Sequence, residues 1–113
     1  MIGRMTALAC ALTLGAVAAR AEMADVDGGQ IYYETCGKGA QAIVLIHDGV
    51  VNSASFDDMW PILCRDFRVV RYDRRGYGRS AAAKAPYSPQ DDLAAVMAAA
   101  KMEHASLVGF SFG

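Results

Sequence analysis

The sequence predicts an α/β fold with a mostly parallel sheet, an N-terminal β-hairpin and helices on both faces of the sheet. After residue 40, strand-like and helix-like segments alternate along the chain, which is the order that βαβ units produce. Ala42–Ile46 is a continuous apolar run, as expected for a strand that is covered on both faces. Leu93, Val96, Met97 and Ala100 form one apolar stripe at helical spacing.

The hairpin is predicted from two short strands that precede the apolar run. They cover Met23–Val26 and Gln30–Thr35, and Asp27-Gly28-Gly29 between them is a turn signal. The strand Ala42–Ile46 follows, and residues 47–52 are expected to form a loop. The hairpin is therefore expected to precede the parallel part of the sheet.

The remaining segments predict two helices and two strands. The first helix is expected to begin between residues 53 and 58 and to end near Cys64, with Pro61 either in its first turn or at a kink. A strand is expected at Phe67–Tyr72 and a long loop at residues 73–87. Ser88 and Pro89 are typical of a helix start, and that helix is expected to end near residue 102. The last strand is expected at residues 106–110.

Three loops are expected to meet at the carboxyl ends of the parallel strands, which is where open α/β sheets bind their ligands. These loops are His47-Asp48-Gly49, residues 73–80, and Gly109–Gly113. The last of them has the pattern G-x-S-x-G, which holds a serine nucleophile on a tight turn between a strand and a helix. Ser111 is therefore the candidate nucleophile. The backbone N–H groups of Phe112 and Gly49 are the candidate oxyanion donors.

Three motifs in this order resemble the α/β-hydrolase superfamily, and each follows an apolar strand. They read IVLIHDG, YDRRGYGRS and LVGFSFG. The resemblance covers the chain from the strand at Gln30 to its last residue and corresponds to the N-terminal part of that fold. It implies a serine hydrolase that acts on esters, lactones or related small acyl compounds and needs no cofactor. An aspartate in place of Ser111 would instead have indicated a dehalogenase or an epoxide hydrolase.

The sequence departs from the family pattern at two points. Asp48 stands where a glycine usually follows the histidine, so a carboxylate lies beside the proposed oxyanion loop. The family also places its acid and its histidine after the serine. His104 precedes the last strand, so it is expected about 20 Å from Ser111, and His47 is expected to shape the oxyanion loop. We therefore expect an incomplete hydrolase domain over residues 22–113, and we expect the 113-residue chain alone to be inactive.

Two other functions and one structural interpretation remain open. Gly76, Gly78 and Ala81 match the loose dinucleotide fingerprint G-x-G-x-x-G/A, but that fingerprint requires a helix to begin at once. A non-catalytic protein that binds small molecules on the same fold is a second alternative. Asp73 and Arg75 are expected to pair and to hold a loop, in preference to a catalytic role.

Composition and cysteine spacing give no sign of a nucleic-acid partner, a metal site or a lipid anchor, and they leave one disulfide open. The formal net charge of −1 gives no reason to expect nucleic acid. No cysteine or histidine spacing suggests a metal site. Too little apolar sequence precedes Cys10 for a lipoprotein anchor. For Cys36 and Cys64 the sequence leaves open whether a disulfide forms, because it does not give the distance between their Cα atoms.

Residues 1–21 are predicted to be a signal peptide. Arg4 supplies a positive charge, Met5–Ala19 is uncharged and mostly apolar, and Ala19-Arg20-Ala21 fits the small-x-small cleavage rule. The apolar run is short for a membrane span. The protein is therefore expected to be periplasmic or secreted, with no stable membrane anchor after cleavage. The alternative is a buried N-terminal helix that stays attached.

Export gives the first testable prediction. Expressed in a Gram-negative host, the protein should lose its first 21 residues, because signal peptidase cleaves after small-x-small sequences. N-terminal sequencing of the exported protein should begin at Glu22. An exported product that still begins at Met1 would contradict the prediction.

Overall fold

The computed structural model describes residues 19–113, which form one five-stranded sheet with two α-helices. A short 3-10 turn at Ser53–Phe56 precedes the first helix. The elements in chain order are β1 (Arg20–Val26), β2 (Gly29–Cys36), β3 (Ala42–Ile46), α1 (Trp60–Asp66), β4 (Arg68–Tyr72), α2 (Pro89–Ala99) and β5 (Ser106–Gly109).

The sheet is mixed, and its strand order is β1-β2-β4-β3-β5. β1 and β2 form the predicted antiparallel hairpin, and β2 also pairs antiparallel with β4. β3 lies between β4 and β5 and is parallel to both. The prediction of an α/β sheet with an N-terminal hairpin is confirmed, and its parallel part consists of β4, β3 and β5.

Two hydrophobic cores lie on opposite faces of this sheet, because side chains alternate along each strand. Val44 and Leu45 are neighbours in β3 and both are fully buried, but they belong to different cores. Val44 packs in the core that contains Val96 of α2. Leu45 packs in the core that contains Trp60 of α1. The apolar run of β3 thus has helices on both of its faces, as the sequence predicts.

The two helices begin differently. α1 begins at Trp60, after the expected range of residues 53–58, and its N-cap residue Met59 makes no side-chain cap bond. Pro61 lies in the first turn of α1, where a missing N–H costs no helical hydrogen bond. Ser88 caps α2, and its hydroxyl accepts a hydrogen bond from the backbone N–H of Asp91.

The predicted end of α2 near residue 102 is wrong by three residues. α2 ends at Ala99 because Lys101 adopts a left-handed conformation with φ of 58°. The N–H of Lys101 then donates to the carbonyl of Ala98, and the N–H of Met102 donates to the carbonyl of Met97. This pair of bonds is a Schellman motif. Glycine usually occupies the left-handed position, so the lysine gave no stop signal in the sequence.

The start of the hairpin bears on the export prediction. β1 begins at Arg20, three residues before the predicted start, and Arg20 and Ala21 pair with Thr35 and Glu34. Cleavage after Ala21 would therefore remove two exposed residues of β1 and leave the rest of the hairpin. Residues 1–18 of the predicted signal peptide lie outside the described residues. Within residues 19–113, neither helix is long and apolar enough to span a bilayer.

Cys36 and Cys64 form a disulfide between the end of β2 and the interior of α1. Their Cα atoms are 5.4 Å apart, and both residues are buried in the core beside Leu45. The bridge closes a loop with a sequence separation of 28 residues. The pairing that the sequence left open is thus present, and it ties α1 to the sheet.

Removal of this disulfide should destabilise the protein. Loop-closure entropy predicts a loss of about 3 to 4 kcal/mol in the free energy of unfolding for a loop of this length. The measurement is urea unfolding of the wild type and of Cys36→Ser, each with and without reductant. Reductant should lower the free energy of unfolding of the wild type and leave that of Cys36→Ser unchanged. Equal stability of the oxidised wild type and the variant would contradict the prediction.

Candidate functional site

Ser111 occupies a strained turn directly after β5. Its backbone φ is 53°, in the left-handed region that residues with a side chain seldom adopt. The N–H of Phe110 donates to the carbonyl oxygen of Ile46, and the N–H of Gly113 closes the turn on the carbonyl of Phe110. The turn therefore lies at the carboxyl ends of β3 and β5. Ser111 itself is exposed.

The two glycines of the G-x-S-x-G pattern are needed because the backbone approaches itself closely. A Cβ on Gly109 would lie 2.7 Å from the carbonyl carbon of Gly113. A Cβ on Gly113 would collide with the carbonyl oxygen of Ile46 and lie 2.8 Å from the nitrogen of Phe110. Neither position has room for a side chain, so both glycines are required to form this turn.

The loop after β3 brings Gly49 next to the serine turn. The position that a Cβ would take on Gly49 is 3.7 Å from the Cβ of Phe112. Within residues 19–113, neither the N–H of Gly49 nor the N–H of Phe112 donates a hydrogen bond to the protein. Two residues that the sequence analysis named as oxyanion donors are therefore close together beside Ser111.

Asp48 directs its carboxylate into its own loop. One carboxylate oxygen accepts hydrogen bonds from the N–H of Val50 at 2.8 Å and of Val51 at 3.0 Å. Such a side-chain turn is a common role for aspartate in loops. The negative charge that the sequence analysis placed beside the oxyanion loop is thus engaged by two backbone donors.

His47 is fully buried, and both of its ring nitrogens have partners. Nδ1 lies 2.6 Å from the carbonyl oxygen of Asp48, and Nε2 accepts from the N–H of Arg74 at 2.9 Å. These contacts fix the tautomer with the proton on Nδ1. Burial lowers the pKa of His47 below its ordinary 6.5. His47 therefore joins the loops after β3 and β4, which agrees with the structural role expected from sequence.

His104 lies in the segment between α2 and β5, at the opposite end of β5 from Ser111. Its side chain is exposed. No side chain among residues 19–113 forms a hydrogen bond with the hydroxyl of Ser111. The described part of the chain thus brings no histidine into hydrogen-bond contact with the candidate nucleophile.

Asp73 holds the loop that follows β4. Its buried carboxylate accepts hydrogen bonds from the N–H and hydroxyl of Ser53 and from the N–H of Arg79. Burial alone would raise the pKa of this carboxyl, but these hydrogen bonds outweigh burial and lower it. Gly78 is in contact with the carboxylate at a φ of 49°, where a Cβ would collide with it.

The expected pairing of Asp73 with Arg75 is wrong, although both residues do hold the loop. Arg75 instead forms a two-pronged ion pair with Asp92 of α2, at 2.9 and 2.7 Å. Both side chains of this pair are buried, and the Arg75 guanidinium also lies over the ring of Tyr87. The pair therefore attaches the loop to α2, whereas Asp73 binds Ser53 and Arg79.

The dinucleotide alternative does not fit the loop. Gly76 and Gly78 have φ values of 85° and 49° in consecutive turns, and no helix begins there. The next helix, α2, begins at Pro89. The fingerprint needs a helix N-terminus on the pyrophosphate, so its central requirement is missing. Across residues 19–113, no cluster of three or more histidine, cysteine or acidic side chains could hold a metal.

Two residues at the site were missed by the sequence analysis. The Arg74 guanidinium donates to the carbonyl oxygens of His47 at 3.4 Å and of Phe112 at 3.1 Å. The Tyr77 hydroxyl donates to the carbonyl of Gly49 at 3.0 Å. Both contacts join loops that are distant in sequence, so no local pattern could have shown them.

A family comparison identifies the family of this chain. The model of the alpha/beta hydrolase family matches residues 43–113, which include all three loops of the site. The chain belongs to the alpha/beta hydrolase family. The resemblance and the fold class inferred from the three motifs are confirmed. Homologous enzymes of this family include esterases, so the chain comes from an enzyme family.

Individual hydrolase relatives differ in the reactions for which they are named. The chain is 39% identical over 87 residues to a Synechocystis protein named as a non-heme chloroperoxidase, covering 74% of this chain and 31% of the relative. It is 35% identical over 83 residues to a pimeloyl-[acyl-carrier protein] methyl ester esterase of Edwardsiella ictaluri, with the same coverages. The crystal structure of a Bacillus anthracis bromoperoxidase is 33% identical, with a TM-score of 0.75, over 83% of this chain and 36% of that one.

These comparisons cover only part of each relative. The chain spans about a third of the length of the curated relatives that it matches. The part matched by the family model includes the sheet edge with Ser111, Gly49 and Phe112. The activity, substrate and partners of the whole hydrolase are therefore matters of proposal.

The buried site histidine gives a testable prediction. His47 should titrate below pH 6.5, because protonation of Nε2 would break its hydrogen bond with the N–H of Arg74 and place a charge in a buried position. The measurement is an NMR titration of the His47 ring signals in the folded protein. A pKa at or above 6.5 for His47 would contradict both the burial and the hydrogen-bond assignment.

Proposed function

We propose that this chain is the nucleophile-bearing part of a serine hydrolase that acts on esters, lactones or related small acyl compounds. The observation that carries the proposal is the left-handed, glycine-flanked turn at Ser111, directly after β5 and beside Gly49. Such a turn exposes a serine hydroxyl above the sheet for attack on a carbonyl. The similarity to a methyl ester esterase supports acyl transfer as the reaction.

The proposed mechanism has two steps. The Ser111 oxygen attacks the acyl carbonyl while a general base takes its proton. The tetrahedral intermediate then collapses to the acyl-enzyme, and the leaving alkoxide takes that proton from the base and departs as the alcohol. Water attacks the acyl-enzyme in the second step and releases the acid. The N–H groups of Phe112 and Gly49 would stabilise the oxyanion in both steps, since they face no acceptor within residues 19–113.

The acid and the base of this hydrolase are proposed to lie outside the 113 residues. Support comes from the partners of His47, which occupy both of its ring nitrogens, and from the position of His104 at the other end of β5. The chain also spans only about a third of its curated relatives. Without a positioned base a serine hydroxyl is a weak nucleophile, so the 113 residues alone should be inactive.

The proposed partner is a small acyl substrate, and the proposed location is the periplasm or the exterior of the cell. The location is supported by the signal-peptide pattern of residues 1–21. A disulfide between Cys36 and Cys64 is consistent with it, because disulfides persist in oxidising compartments.

The alternative of a non-catalytic binding protein predicts a different outcome at Ser111. A binding protein has no need of a strained serine turn with free backbone donors, whereas acyl transfer depends on both. Catalysis that depends on Ser111 would separate the two functions.

The nucleophile is tested in a full-length protein that contains this chain. Ser111→Ala should lower p-nitrophenyl ester hydrolysis by about 10⁴-fold or more, because the variant lacks the hydroxyl proposed to form the acyl-enzyme. The wild type should also become labelled at Ser111 by a serine-directed phosphonate, detected by mass spectrometry. The matched control is Ser106→Ala, which changes an exposed serine at the start of β5 and should keep wild-type turnover.

Two results would overturn the proposal. The first is a folded Ser111→Ala variant with wild-type ester hydrolysis. The second is bromide oxidation by peroxide without any ester or lactone hydrolysis, an assay that the named haloperoxidase relatives make necessary. The isolated 113-residue chain serves as a further comparison, and Ser111-dependent turnover close to that of the full protein would show that the base lies within it.

A further inference from the structure

We propose that Tyr77 and Asp48 act as positioning residues that hold the loop of Gly49 so that its N–H points toward the substrate oxyanion. The inference rests on the proposed acyl-transfer function. It adds a role for one residue that departs from the family pattern and for one that the motifs do not explain. We call the two side chains, with their bonds to residues 49–51, the loop clamp.

Tyr77 belongs to a different loop and holds residue 49 through a hydrogen bond. Its hydroxyl donates to the carbonyl oxygen of Gly49 at 3.0 Å, and its ring meets the edge of His47 with centroids 5.1 Å apart. Tyr77 belongs to the turn after β4, where Gly76 and Gly78 both have positive φ. Because Asp73 fixes that turn through the N–H of Arg79, the hydroxyl of Tyr77 is anchored to the sheet.

Asp48 is part of the same loop and holds it through its own side chain. Its carboxylate takes the N–H groups of Val50 and Val51, which follow Gly49 directly. Tyr77 thus binds the carbonyl oxygen of residue 49, and Asp48 binds the next two backbone N–H groups. Among the N–H groups of residues 49–51, that of Gly49 is the one that donates to no acceptor within residues 19–113.

The clamp matters because a glycine has the widest choice of backbone angles, and the two side chains fix the peptide group between Gly49 and Val50, next to the peptide group that carries the N–H of Gly49. An unclamped Gly49 could rotate its peptide groups away from the reacting carbonyl. An oxyanion donor is effective only when it is already oriented before the charge develops. Asp48, which looked unfavourable beside an oxyanion, thus contributes order to the loop while its charge is directed at Val50 and Val51.

The test uses three variants in the full-length protein. Tyr77→Phe keeps the ring and removes the hydroxyl, and Asp48→Ala removes the acceptor. Each should lower kcat for ester hydrolysis by about 10-fold, less than the 10²-fold or greater cost of deleting an oxyanion donor, with KM unchanged. Asp48→Asn keeps an acceptor oxygen without the charge and should restore most of the lost kcat.

Matched controls separate the clamp from general effects on stability. Tyr87→Phe and Asp91→Asn change exposed residues of the same types near α2 and should leave kcat unchanged. Amide hydrogen exchange gives a readout that does not depend on turnover. The amides of Val50 and Val51 should exchange faster in Asp48→Ala than in the wild type.

The outcomes distinguish failure of the clamp from failure of the proposed function. If Ser111→Ala is inactive but Tyr77→Phe and Asp48→Ala keep wild-type kcat, the clamp has no catalytic role and this inference is wrong. If Ser111→Ala stays active, the proposed function fails. The oxyanion role of the clamp then fails with it, and unchanged exchange of the Val50 and Val51 amides in Asp48→Ala would show separately that Asp48 does not hold the loop.

Discussion

Parallel pairing of β3 with β4 on one side and β5 on the other brings three strand ends to one edge of the sheet. That pairing depends on a strand that is buried on both faces, and β3 meets the requirement with Val44 in one core and Leu45 in the other. If either helix layer were lost, an apolar face of β3 would be exposed. The positions of the three site loops follow from this arrangement.

Loops at such an edge need partners for their backbone groups, and buried side chains supply many of them here. His47 links the loops after β3 and β4, while Asp73 fixes the second loop from within. Arg75 attaches that loop to α2 through Asp92. No buried side-chain nitrogen or oxygen in residues 19–113 lacks a hydrogen-bond partner. A rigid polar framework of this kind can hold a strained turn such as that of Ser111.

Sequence rules succeeded wherever a local pattern carried the information. Ser88 and Pro89 indicated the start of α2, and the apolar run of Ala42–Ile46 indicated a strand with helices on both faces. They failed where a residue adopted a conformation that its type disfavours, as Lys101 does at the end of α2. The pairing of Asp73 with Arg75 failed for another reason. Nearness in sequence says little about which buried charges meet across a fold.

The sequence alone determined the α/β class, the order of the three motifs and the candidate roles of Ser111, Gly49 and Phe112, because each depends on short-range spacing. The tertiary structure decided which atoms meet. It places Gly49 beside Phe112 and pairs the Arg75 guanidinium with the Asp92 carboxylate. It also brings the Tyr77 hydroxyl within hydrogen-bond distance of the Gly49 carbonyl. These contacts join segments that only the pairing and packing of strands bring together, so no local pattern encodes them.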